Sequence, residues 1–150
     1  MINKRLGGGG NSILFRELRD KRGYAYNVYS DMDLNGMIGM FYIYAAVSQE
    51  NLSAASATID RTVDEFADSD VPIGSETLEL IKDIFVTNLS IAMESPSDMI
   101  QYIMEGEMEY GDPLEYQRML SIMDSISVRD IRDTARRILK NPFIHILCPR

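Results

Sequence analysis

Residues 6–30 read LGGGGNSILFRELRDKRGYAYNVYS. The four glycines, Gly7 to Gly10, permit a sharp reversal, because a residue without a Cβ reaches φ > 0 at no steric cost. Asn11 or Ser12 then serves as the N-cap of a short helix running to about Arg22. Leu14, Phe15 and Leu18 mark its apolar face. Gly23 stops it, as a glycine just past a helix commonly does. From Tyr24 to Asp33 the pattern turns strand-like. Asn35-Gly36 follows, a strong short hairpin signal because both turn residues tolerate φ > 0. Met37 to Val47 is the return strand. Both of its faces are apolar, so it is expected to be covered on both sides, one cover coming from a partner surface.

Beyond the hairpin the chain reads as capped helices. Ser48 precedes a stripe of Leu52, Ala55, Ile59, Val63 and Phe66. After Val71-Pro72-Ile73-Gly74, Ser75 opens a second helix with Leu78, Ile81, Phe85, Leu89 and Ala92 on one side. Ser95-Pro96-Ser97-Asp98 joins an N-cap to a proline at the first helical position, and that helix fades near Gly111. Another runs from Asp112-Pro113 to about Asp124. Ser127-x-x-Asp130 opens the last, with Ile131, Ala135 and Ile138, which ends at Asn141-Pro142. Phe143 to Cys148 reads as a closing strand. The fold class expected is α+β, an antiparallel-rich sheet with helices packed on one face.

The length, 150 residues, suits a single domain spanning 1–150. One cysteine, Cys148, excludes an intrachain disulfide and a multi-cysteine zinc site. One histidine, His145, excludes any metal site needing two histidines from this chain. The net charge of −8 disfavours nucleic acid and anionic membrane as partners. No apolar run approaches the ~18 residues a membrane span requires. No segment assigns a compartment, though an unpaired cysteine fits a reducing one, which favours the cytoplasm. Charge is uneven: residues 1–22 hold six basic residues against two acidic ones, so the remainder carries −12. The first segment therefore has a different job from the acidic body.

Several candidate chemistries fall away. A phosphate loop needs Gly-Lys-Ser/Thr after its glycines, and here the continuation is Asn11-Ser12-Ile13. His145 and Cys148 point to opposite faces of a strand and supply only two ligands. The acidic residues lie mostly on solvated helix faces, and most of the ten methionines sit on apolar stripes, where they fill a core. Taken alone, Leu18 to Val28 is a basic helix end entering an aromatic strand, its charges solvated and its tyrosines packed on a sheet.

In series, these residues say more. Leu6-Gly7-Gly8-Gly9, then Ser12 through Gly23, then Ala25-Tyr26-Asn27-Val28-Tyr29-Ser30 closely resemble a signature of the insulinase/pitrilysin superfamily of zinc peptidases. The similarity is greatest to the branch of mitochondrial processing peptidase and its bacterial relatives. Later landmarks follow in the same order: Gly39, Glu50-Asn51-Leu52, Glu94-Ser95-Pro96-Ser97, Tyr110-Gly111-Asp112-Pro113, Ile126-Ser127-Val128 with Asp130-Ile131, and Asn141-Pro142.

The family's zinc motif is H-x-x-E-H on a helix. This chain has no such motif, so the resemblance implies the homologous C-terminal-type domain that faces the zinc-bearing domain across a closed chamber. No metal is expected in this chain; zinc belongs to the partner domain, and the chain alone should be inactive. The expected partners are that homologous zinc-bearing domain or subunit and a peptide or unfolded protein segment. The resemblance implies a functional arginine and a tyrosine seven residues later, here Arg19 and Tyr26. Tyr24 is the rival, at a position where the family often has leucine. Tyr26 would support the transition state by donating to the substrate carbonyl or oxyanion, and Arg19 would orient the bound peptide. A strand edge beside the hairpin is a further expected peptide contact, by β-augmentation. The family's domain also has a strand and most of a long helix ahead of the glycine run, where this chain has six residues. The expectation is therefore an N-terminally truncated copy lacking its first strand and part of its first helix. The alternative is a non-catalytic structural or assembly subunit homologous to such peptidases. A helical adaptor unrelated to proteolysis would leave the signature unexplained.

Overall fold

Ser12 is where the chain turns helical: its hydroxyl accepts the Phe15 amide at 3.3 Å, the bond expected of an N-cap. The computed structural model describes residues 1–35, 38–68 and 73–148. Helix α1 (Ile2–Leu6) precedes the glycine run, and α2 (Ile13–Phe15) follows it. The helix expected to continue to Arg22 is present, but Arg16–Asp20 is wound as a π-helical turn. Gly23 stops it with φ 63°. Two nested bonds close the turn, Gly23 N–H to Arg19 O at 3.0 Å and Tyr24 N–H to Leu18 O at 2.7 Å. Leu14 and Leu18 are fully buried, so the apolar face read from the sequence is the face that packs.

Strands β1 (Ala25–Asn35) and β2 (Ile38–Val47) form an antiparallel hairpin. Gly36 of the expected turn and Met37, the expected start of the return strand, lie outside the described residues. The register places Val28 opposite Ala45, Ser30 opposite Ile43 and Met32 opposite Phe41. The inner face of this pair meets the core. Ile2 and Leu6 of α1, Leu14 and the helices that follow cover it, giving an α+β arrangement with helices on one face of the sheet.

The glycine run is a close approach of backbone to strand. Gly7 O accepts the Ser30 amide at 3.2 Å, and a Cβ on Gly7 would lie 2.7 Å from Ser30 Cβ. Asn3 Oδ1 accepts the Ser30 hydroxyl at 2.6 Å, pinning α1 to the same strand position. A Cβ on Gly10, by contrast, would meet nothing within 4 Å. Gly7→Ala should therefore cost about 1–3 kcal/mol of stability, as overpacking does. Gly10→Ala should stay within about 0.5 kcal/mol of wild type. Urea unfolding of the two variants measures the contrast, and equal midpoints would mean that the Gly7–Ser30 approach is absent.

A 3₁₀ turn (Gln49–Asn51) leads into α3 (Leu52–Asp68). The expected stripe is partly displaced. Ala55 and Phe66 are buried, but Thr58 and Thr62 take the innermost positions while Ile59 and Val63 are only half-buried. The threonines bury because each hydroxyl donates to a carbonyl one turn back, Thr58 to Ala54 at 2.8 Å and Thr62 to Thr58 at 2.7 Å. Helix α4 (Ser75–Glu94) starts with Gly74 rather than Ser75 at its N-cap and buries Leu78, Ile81 and Leu89 as expected. Ser95 caps α5 (Pro96–Glu105), which widens into a π turn (Gly106–Tyr110) and ends at Gly111 with φ 68°. Helix α6 (Glu115–Met123) joins α4 through Lys82 Nζ, which donates to Asp124 O at 3.4 Å. Ser127 and Asp130 form a reciprocal capping box at the start of α7 (Val128–Ile138), whose Ile131 and Ala135 are buried.

One expectation is corrected. Phe143 to Cys148 is not a strand among the described residues; Phe143 is 91% and Leu147 89% exposed. Apolar composition alone does not make a strand; among the described residues β1 and β2 pair with each other and the 143–148 run joins neither edge. On the outer face of the hairpin Ile38, Met40 and Tyr44 are exposed, and the cover expected there from a partner surface is not supplied by the described residues.

Candidate functional site

Arg19 and Tyr26 sit on the two arms of the turn closed at Gly23. Arg19 lies in the π turn, with its guanidinium carbon 4.9 Å from the centroid of the Phe15 ring. That contact orients the side chain without neutralising it. Its basic neighbours are differently placed. Glu17 takes Lys21 Nζ at 2.6 Å and Arg22 at 2.5 Å, and Arg22 also donates to the Glu17 carbonyl at 2.8 Å. The hydrogen bonds from Lys21 and then Arg22 hold the Glu17 carboxyl below its usual range. The described residues give Arg19 no carboxylate partner, so it keeps its fork free for a ligand.

Tyr26 owes its direction to an irregularity in the ladder. Ala25 pairs with Val47, and Asn27 pairs with Ala46, so two steps on β1 match one on β2. Tyr26 is the extra residue of a β-bulge. Strict alternation would put it on the same face as Val28 and Ser30, both buried. The bulge instead gives the sequence buried Ala25, exposed Tyr26, exposed Asn27, buried Val28. Tyr26 is 85% exposed, and its hydroxyl has no hydrogen-bond partner among the described residues. Tyr24 differs: it is half-buried and packs against the core. The two tyrosines that the sequence left as rivals thus differ in environment, Tyr26 exposed and Tyr24 packed on the core. The sequence missed the bulge because no single strand reports its partner's register.

A family model described as "Peptidase M16 inactive domain" matches residues 1–85, more than half of the chain. The chain belongs to the peptidase M16 family. Within it, relatives named as uncharacterized zinc proteases include one from Mycobacterium tuberculosis, 28% identical over 145 residues, covering 95% of this chain and 32% of the relative. Another, from Streptomyces coelicolor, is 28% identical over 153 residues, covering 99% and 32%. The chain spans about a third of the length of these curated relatives. A solved peptidase M16 inactive domain from Pseudomonas fluorescens superposes with a TM-score of 0.78 at 18% identity, covering 91% of this chain and 32% of that one. A protease from Helicobacter pylori gives 0.78 at 21%, covering 93% and 33%. At these identities the structures establish the M16 fold alone.

The names of the M16 relatives raise the question of zinc. Among the described residues no three His, Cys, Asp or Glu side chains group closely enough to hold a metal ion. Cys148, the one cysteine, is exposed on the segment that pairs with no strand. The described residues of this M16 domain therefore do not fit a resident zinc. No helix among them is long and apolar enough to cross a membrane.

Proposed function

We propose that this chain is the substrate-binding, non-zinc half of a zinc-dependent metalloendopeptidase of the mitochondrial processing peptidase type. In this reading it closes a chamber with a homologous zinc-bearing domain, in the same polypeptide or in another subunit, and the substrate is a peptide or an unfolded protein segment. Tyr26 donates its hydroxyl proton in a hydrogen bond to the substrate carbonyl oxygen, strengthening as negative charge gathers there. A phenol does so without a formal charge of its own, so it does not bind a carboxylate product strongly. Arg19 orients the peptide by donating to a backbone carbonyl or terminal carboxylate. The observation that carries the reading is the bulge, which gives up ladder regularity to aim an unpartnered tyrosine hydroxyl at solvent on the arm opposite an unpaired arginine. Bulges recur beside active sites because they re-aim single side chains. The test is reconstitution with a partner bearing H-x-x-E-H: cleavage of an unfolded peptide should need the partner, zinc and this chain together. A complex that assembles but cleaves nothing would favour the structural-subunit alternative.

A further inference from the structure

We propose that Phe15 is a positioning residue for peptide binding: its ring holds the Arg19 guanidinium before a peptide arrives, so that the arginine meets its ligand already placed. The proposal rests on the substrate-binding reading above and adds the residue through which one of its two side chains acts.

Spacing makes the pair. Ser12 caps the helix, and Leu14 and Leu18, four apart, are fully buried on its inner stripe. Phe15 and Arg19 are the next position along in each case, again four apart, so they are neighbours on the adjoining stripe. Phe15 is half-buried and packs against the core, which limits the motion of its ring. Arg19 is exposed, and its guanidinium carbon lies over that ring, 4.9 Å from the centroid. A cation so placed is drawn to the negative face of the ring. Glu17, two positions before Arg19, faces elsewhere and is taken up by Lys21 and Arg22.

A ring and a carboxylate would hold Arg19 with different consequences. A carboxylate occupies the N–H donors that a peptide carbonyl needs. A ring touches only the flat of the guanidinium and leaves its in-plane N–H groups to a ligand. Arg19 is the longer and looser of the two candidate side chains, so binding would cost it more rotamer freedom than it costs Tyr26. The ring takes part of that loss during folding, which is preorganisation. Such a hold acts alike on bound substrate and transition state, so it belongs to KM and not to kcat. Loss of the Tyr26 hydroxyl has the opposite signature.

The experiment uses the full-length protein assembled with its zinc-bearing partner. Affinity for a fluorescent unfolded peptide is read in chelator, and kcat and KM are read in zinc. Phe15 is replaced by leucine, which removes the ring, and by fluorinated phenylalanines, which drain its negative face while keeping its shape. Each change is made with Arg19 intact and with Arg19→Gln. Arg19→Gln alone should weaken binding at least about 10-fold, as loss of a charged hydrogen-bond donor does. Phe15→Leu should weaken binding about 2–5-fold with kcat unchanged, the scale of a cation on an exposed ring. Successive fluorines should weaken it stepwise toward the same limit. Neither change should add to Arg19→Gln, since no cation is left on the ring. Unchanged binding across the fluorinated series overturns the proposal. So does an equal loss from the Phe15 changes in the Arg19→Gln background, which would make Phe15 a packing residue. Should Phe15→Leu fail to assemble, the fluorinated series decides. If Arg19→Gln weakens binding and the series does not, only the positioning role fails. If Arg19→Gln binds as wild type does, the role of Arg19 fails and takes the proposal with it.

Discussion

Replacing Tyr26 with phenylalanine in the assembled protease should lower turnover about 10²-fold, the loss typical when one oxyanion donor is removed. The substitution deletes a single oxygen from a side chain that is 85% exposed and touches no partner hydroxyl. Folding should be unchanged, so the effect reads on chemistry. It should appear in kcat more than in KM, because a hydrogen bond that strengthens with developing charge serves the transition state above the ground state. Tyr24→Phe is the natural comparison. Its ring packs against the core, so removing its hydroxyl should leave turnover near wild type. A Tyr26→Phe enzyme with unchanged kcat would end the assignment.

The second large effect lies beneath the site. Leu18→Ala should destabilise the protein by about 2–5 kcal/mol, the range for truncating a fully buried leucine. Leu18 is completely buried, one residue before Arg19, and its carbonyl accepts the Tyr24 amide that starts the strand leading to Tyr26. It therefore supports both arms of the candidate site. Chemical unfolding followed by circular dichroism measures the loss. Leu147→Ala is the control: this leucine is 89% exposed, and its removal should change stability by less than about 0.5 kcal/mol. Equal losses for the two leucines would contradict the placement of the core.

The contrast between those leucines shows what can be read from sequence. Features set by a few consecutive residues were legible: the Ser12 cap, the Gly23 stop, the Ser95-Pro96 start and the Ser127–Asp130 box. Each is local backbone chemistry, satisfied or not within one turn. Features set by a partner element were not. The bulge exists only in the register of β1 against β2, and Tyr24-Ala25-Tyr26 by itself reads as plain alternation. Leu147 belongs to an apolar run that reads as a strand, yet pairing requires an edge that the run cannot supply itself. Thr58 and Thr62 displaced the expected α3 stripe because backbone carbonyls satisfy their hydroxyls, which an apolar count ignores. For the site, similarity to a family pointed to Arg19 and Tyr26. What the structure adds is a reason to prefer Tyr26 over Tyr24: one is aimed outward by an irregular ladder and the other is packed inward.

The central claim is that this domain, whose described residues fit no metal, supplies what a zinc-bearing partner lacks. It is tested most directly by the rate at which the H-x-x-E-H partner cleaves an unfolded peptide with and without this chain, in zinc and in chelator. Cleavage is expected only when partner, zinc and this chain are all present, with neither protein active by itself. A partner that cleaves at the same rate whether or not this chain is bound would contradict the claim.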